Sequence, residues 1–181
     1  MPKIIADSKE ILKEIESLAD EIVADCPNIS NLILIGIQRR GAQISQRILN
    51  VINEKYNVDV PLGILDITFY RDDLSMVSEQ PVIHNTNIPF SLDEKYVVLV
   101  DDVIYTGRTI RSALDALVDF GRPSMVKLLA LVDRGMRELP IQPDYAGWVI
   151  PTNYDDKISV KVIELDGEDL VEMISRDAKL D

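Results

Sequence analysis

The chain has 181 residues, 46% of them hydrophobic, which suits one globular domain with a full core. It has no apolar run near the ~18 residues of a membrane span. Its N-terminus lacks the basic-then-apolar pattern of a secretory signal, and its lone cysteine, Cys26, excludes an internal disulfide framework or a Cys-based zinc cluster, so a cytoplasmic setting is expected. Nineteen Lys and Arg against 31 Asp and Glu leave a net charge of −12, which repels polyanions at long range; any anion must be met at a local site built from a few arginines, backbone amides or a metal.

No repeat, low-complexity tract or Gly/Ser linker divides the chain, so residues 1–181 are expected to form a single domain. Ile11, Ile15, Leu18 and Ile22, flanked by Leu12, Ala19 and Val23, have helical spacing. Asp7 is the expected N-cap, with Glu10 completing a capping box, and Pro27 follows the helix end. Leu32 to Gly36 is a continuous apolar run of strand length, as in a parallel sheet covered on both faces. After a polar loop at Gln38 to Gly41, helical spacing returns at Ile44, Ile48, Val51 and Ile52. Val58 to Phe69 reads as a strand interrupted by Pro61 and Gly63. Tyr96 to Val100 is the most hydrophobic strand. Ile110, Ala113, Leu114 and Leu117 mark a helix that stops at Gly121, with Pro123 beyond it. Val126 to Val132 is a further strand, and Gly147 to Ile150 and Ser159 to Ile163 are shorter ones. Alternating strands and helices predict right-handed crossovers and a mostly parallel α/β sheet. Ligands in such sheets lie at the carboxyl ends of the strands, here the loops after Gly36, Val100 and Val132.

The chemistry is expected in VVLVDDVIYTGRT, Val97 to Thr109. A buried strand delivers two adjacent carboxylates, Asp101 and Asp102, to its exit. Val103, Ile104 and Tyr105 lead to Thr106, Gly107, Arg108 and Thr109, and then a helix begins. Unpaired amides and a partial positive charge at a helix start favour a phosphate. Gly107 allows close backbone approach, the threonines supply hydroxyls and Arg108 adds charge. Two carboxylates beside a phosphate cradle repel their ligand unless they accept sugar hydroxyls or help position a cation. A phosphorylated ribose meets both demands.

This stretch resembles the signature of the type I phosphoribosyltransferases, with Tyr105 where a smaller residue often stands. GIQRRG (Gly36 to Gly41), LDITFYRDDLS (Leu65 to Ser75), DALVDFGRPS (Asp115 to Ser124), LVDRGMRELPIQPDY (Leu131 to Tyr145) and IPT (Ile150 to Thr152) extend the resemblance over nearly the whole chain. On these segments it is identified as a member of the pyrimidine operon regulatory protein/uracil phosphoribosyltransferase (PyrR) family. The resemblance implies the type I phosphoribosyltransferase fold, with a mostly parallel central sheet flanked by helices, a flexible loop hairpin and a small hood.

It also implies roles. Arg39, Arg40 and Gly41 form a pyrophosphate loop holding an unusual cis peptide; two solvated surface arginines are the alternative. Arg71, Asp72 and Asp73 belong to a loop that closes over phosphoribosyl pyrophosphate (PRPP) and excludes water. Asp133 and Arg134 help build the base pocket and reach pyrophosphate or magnesium, the alternative being a strand-end salt bridge. Trp148 is read as packing, with base stacking as its alternative; Cys26 and His84 are read as structural or surface residues. The implied reaction displaces pyrophosphate from the ribose by uracil, giving UMP. Asp101, Asp102, Arg71 and Asp72 are its catalytic residues, and Mg²⁺ is carried mainly by PRPP rather than by direct protein ligands.

The resemblance further implies a homo-oligomer, at least a dimer, and leader RNA as a partner in the presence of UMP. In that second role a UMP-responsive RNA-binding attenuator would need little enzymatic activity. Here the first helix carries Glu16, Ser17 and Asp20 where RNA-binding members tend to carry polar or basic groups. Met136 replaces a frequent histidine and Gln142 a frequent arginine, while Arg39, Arg134 and Arg137 remain. Carboxylates in place of cations add repulsion, so the RNA mode is expected to be weakened or absent.

Overall fold

The structure, a computed structural model, describes residues 2–68 and 86–175. Helix α1 (Ser8–Asp25) begins as expected: the Asp7 carboxylate accepts from the amides of Lys9 and Glu10, and the Glu10 carboxylate accepts from the amide of Asp7. Strand β2 (Leu32–Ile37) is buried along its whole length and feeds α2 (Arg40–Tyr56). Of the strand expected over Val58 to Phe69, the described residues form β3 (Leu62–Leu65), which starts after Pro61, a residue without the amide a longer ladder would use; Phe69 lies outside the described residues. Strand β4 (Tyr96–Ile104) runs four residues past the expected Val100, so Asp101 and Asp102 lie inside the strand rather than beyond it. Helix α3 (Arg108–Leu117), β5 (Met125–Asp133) and β6 (Tyr145–Val149) follow.

These strands form a five-stranded sheet, β3-β2-β4-β5-β6, in which every pairing is parallel. Its sides are two apolar layers. Leu32, Leu34, Val98, Val100, Leu129 and Leu131 pack with α1 and α2, while Ile33, Ile35, Val97, Leu99, Leu128 and Ala130 pack with α3. The period of two along each strand places a helix layer on both faces. Trp148 packs, partly buried, against the first layer.

The expected Ser159 to Ile163 strand does not join this sheet. It forms β7 (Lys157–Lys161) in a separate antiparallel sheet, β1-β8-β7, with β1 (Lys3–Ala6) and β8 (Leu170–Ile174), neither of which has a clear sequence signal. The short helix α4 (Ile163–Asp166) connects β7 to β8. This small sheet, made from both ends of the described chain, is the hood. Among the described residues no helix is long and apolar enough to cross a membrane.

The chain runs from β2 to β3 on one side of the sheet and from β4 through β5 to β6 on the other, so the direction of winding reverses between β2 and β4. A crevice opens at the carboxyl ends of strands at such a reversal. Two glycines let α2 close on it. A Cβ on Gly36 would stand 2.3 Å from Ser45 Oγ, and one on Gly41 would stand 2.5 Å from the carbonyl oxygen of Val100. Gly41→Ala is therefore expected to cost about 1–3 kcal/mol, because backbone must move to admit the methyl group. Thermal unfolding checks this, at roughly 2–4 °C per kcal/mol for a chain of this size.

Candidate active site

The crevice between β2 and β4 collects most of the residues singled out in the sequence. Asp101 is 6% exposed. Its carboxylate accepts the amide of Asp102 at 2.9 Å, and the Asp102 carboxylate accepts the amide of Val103 at 2.9 Å. Burial pushes the Asp101 carboxyl well above the usual carboxylate range, and the neighbouring charge of Asp102 adds to it. Burial also raises Asp102, against the amide of Val103 and the positive field of Arg40. Such a pair resists carrying two negative charges until hydroxyl donors or a cation arrive.

Two helices point their N-termini into this region. Helix α3 starts from Gly107, whose φ of 91° is left-handed backbone that a side chain would strain, and Gly107 offers no side-chain cap. The Thr106 hydroxyl accepts the Arg108 amide at 3.3 Å, and Thr109 is exposed in the first turn. Helix α2 starts from Arg39, also without a side-chain cap. Helix α1, away from the crevice, has its capping box. Neither N-cap residue of α2 or α3 supplies a side-chain acceptor, so their first-turn amides, that of Arg108 apart, are donors suited to an anion. The sequence expectation of a loop through Gly41 is corrected in detail: Arg40 and Gly41 belong to the first turn of α2. The Gln38–Arg39 peptide bond is cis. Arg39 is exposed, and Arg40 is paired with Asp166 of the hood at 2.7 Å.

The loop after β5 is bound tightly to the loop after β4. Arg137 is the link: it donates to the carbonyl of Tyr105 at 2.9 Å and to that of Ile141 at 2.8 Å, and pairs with the Asp133 carboxylate at 2.7 Å. The amides of Glu138 and Leu139 both donate to the carbonyl of Thr106, and the Glu138 carboxylate pairs with Arg108 at 2.7 Å. Part of the charge expected of Arg108 is thus met within the chain.

At the end of β5, Asp133 pairs with Arg137 rather than with Arg134. Arg134 is 7% exposed. It lies 4.0 Å from the centre of the Tyr105 ring and donates to Thr152 Oγ1 and to the carbonyls of Asn153 and Asp156. Val103 is partly buried and Ile104 buried, both as packing. Arg71, Asp72, Asp73 and His84 lie outside the described residues. Sequence reading missed Arg137 as the fastener of the Tyr105–Thr106 backbone, since a carbonyl partner 32 residues away has no sequence signal.

Because burial raises Asp101 above its unfolded value of about 3.9, its contribution to stability is fullest below that pH and is lost as pH rises through the folded value. An asparagine escapes this cost and can still accept the Asp102 amide. Asp101→Asn is expected to be more stable than the native chain at pH 7 by about 1 kcal/mol, with the difference closing toward pH 4. Denaturant unfolding at several pH values measures it.

A family model described as a phosphoribosyl transferase domain matches residues 2–166. The chain is 52% identical to the bifunctional protein PyrR of Acetivibrio thermocellus over 92% of this chain and 91% of that one. It is 48% identical to the PyrR of Deinococcus radiodurans over 93% and 92%. Among solved structures, a hypoxanthine phosphoribosyltransferase from Staphylococcus aureus superposes with a TM-score of 0.73 over 99% of this chain and 94% of that one, at 17% identity. One from Trypanosoma cruzi does so with a TM-score of 0.71 over 96% of each chain, at 19% identity. With a family model over residues 2–166 and relatives about half identical over nearly the whole chain, the chain belongs to the PyrR family of type I phosphoribosyltransferases.

Proposed function

We propose that the chain is a uracil phosphoribosyltransferase, transferring ribose 5-phosphate from PRPP to uracil to give UMP and pyrophosphate. The observation that carries this reading is the buried Asp101–Asp102 pair placed directly before an uncapped helix that starts at a left-handed glycine. In this reading the Thr106–Thr109 turn holds the 5′-phosphate with the amides of α3. Asp101 and Asp102 accept the ribose hydroxyls and stabilise positive charge as it develops on the ring. Arg39, Arg40 and the amide of Gly41 hold the pyrophosphate as it leaves. Asp133 and Tyr105 border the base. Arg134 supports Tyr105 from behind rather than touching the ligand. Arg71 and Asp72 close over the site as the family resemblance implies. Catalysis is then positioning and electrostatic stabilisation, with no covalent nucleophile.

Magnesium fits this donor set as a passenger of the substrate. It prefers one or two carboxylates with phosphate oxygens and waters, and among the described residues no group of three or more His, Cys, Asp or Glu could cage it. Asp101 and Asp102 are the carboxylates that would face it, and bound Mg²⁺ would neutralise the departing pyrophosphate. A cytoplasmic, single-domain protein acting as at least a dimer completes the reading; Leu114, Val118 and Met125 are exposed apolar groups that a partner could cover.

Turnover of PRPP with uracil, orotate and hypoxanthine tests the reaction. UMP formation from uracil alone is expected. Asp102→Asn should lower kcat by at least about 100-fold, the scale of losing one preorganised electrostatic group. No turnover with any base would leave a nucleotide sensor that kept the fold.

The relatives are named bifunctional, and leader RNA is the second partner that the resemblance implies. Of the three retained arginines, Arg134 and Arg137 spend their donors inside the chain and only Arg39 is exposed. With a net charge of −12, these observations support an RNA mode that is weak or lost. Affinity for a leader hairpin measured against salt should be low, with a shallow slope. Tight, UMP-dependent binding with a steep slope would refute this.

A further inference from the structure

Arg40 is gripped from outside the main sheet. Its Nε and Nη2 donate to Asp166 Oδ2 and Oδ1 at 3.1 and 2.7 Å, a two-point fork. Asp166 ends α4 in the hood, and its own carboxylate is oriented by the amide of Val162 at 2.9 Å. Seven residues along α2, on the same face, Arg47 donates to Glu164 at 2.8 and 2.6 Å and to Asp169 at 2.7 Å. The turn at 163–169 is therefore buckled to α2 at two points of different character. Arg47 and Asp169 are mostly closed to solvent and serve as the anchor, with Glu164 at its open edge. The Arg40 group is more open and lies where α2 meets the crevice.

The fork occupies one edge of the Arg40 guanidinium. Among the described residues Nη1 makes no hydrogen bond, which leaves the opposite edge for an anion. The first turn of α2 abuts β4 at Val100 and Asp101, and the charge of Arg40 is felt by Asp102. An untethered arginine at this place would swing toward Asp102 and withdraw both groups from a ligand.

We propose that Asp166 is a positioning residue for pyrophosphate: it holds Arg40 off the acid pair, with the free edge of its guanidinium presented to the crevice. The proposal rests on the phosphoribosyltransferase reading above. Two effects of the carboxylate oppose each other. It repels a pyrophosphate, but through water and salt, which screen exposed charges. It also removes the rotamer freedom of a long side chain before the ligand arrives, and that effect is direct. The second outweighs the first, so loss of the carboxylate weakens binding.

The test is calorimetric titration of the whole protein with magnesium pyrophosphate, together with steady-state kinetics in PRPP. Asp166→Asn keeps an oxygen for the Val162 amide but removes the charge and the acceptor for Arg40 Nη2, which breaks the fork while the melting temperature should hold. The Kd for pyrophosphate and the KM for PRPP should rise about three- to tenfold, the scale of one arginine's rotamer freedom, with kcat little changed. Asp169→Asn, which weakens the closed anchor instead, should lower the melting temperature and leave the Kd in place. An Asp166→Asn protein that binds pyrophosphate equally well or more tightly overturns the proposal, as does an Asp169→Asn protein that loses as much affinity. Native protein that takes up no pyrophosphate overturns the reading of the site and this inference together.

Discussion

Two carboxylates side by side in a buried strand repel each other and lose most of their hydration, and the structure around β4 is arranged to keep them there. Asp101 and Asp102 are held mainly by strand pairing and packing: backbone amides meet their oxygens, and the field of Arg40 reaches Asp102. Strand β4 carries them in because its first five residues are wholly buried between two apolar layers and pair with parallel strands on both sides. That burial supplies the free energy which the acid pair spends. A site with raised carboxyl groups and two uncapped helix ends is poorly satisfied without a ligand, which is the condition for binding a polyanionic, hydroxyl-rich sugar selectively.

The overall charge makes this arrangement necessary. At −12 the chain offers no general attraction to an anion. The local answer is mostly dipolar: left-handed Gly107 opens the start of α3, and the close contact of Gly41 with Val100 brings the start of α2 against β4. Two arginines of the segment after β5 hold loops in place. Arg137 ties Asp133 to the Tyr105 carbonyl, and Arg134 ties the segment from Thr152 to Asp156 beneath the Tyr105 ring. Rigid loops at the strand ends are the structural requirement for positioning catalysis, and here one buried ion pair and arginine bonds to backbone carbonyls supply the rigidity.

The hood enters the same logic from the far end of the chain. Its turn at 163–169 has little apolar surface to bury, with Ile163 and Leu165 both exposed, so its attachment to α2 depends on charge. Arg47 gathers two carboxylates for that purpose, and Arg40 repeats the device one step nearer to the crevice. Both ends of the described chain are thereby coupled to the helix whose first turn borders the site.

The sequence alone determined the layered α/β architecture, because continuous apolar runs such as Leu32 to Gly36 and helical spacing such as Ile110 to Leu117 are local properties of the chain. It also made the candidate site legible, since an acid pair followed by TGRT requires only neighbouring residues to be recognised. The tertiary structure decided what local pattern does not encode. It decided which arginine faces which carboxylate: Asp133 takes Arg137 rather than Arg134, and Arg40 takes Asp166 across 126 residues. It decided that β7 leaves the main sheet to pair with the chain ends, and that Asp101 and Asp102 lie within β4. Spacing and periodicity report on the backbone within a few turns. Ion pairs and strand partners depend on distances in space, which exist only after the chain has folded.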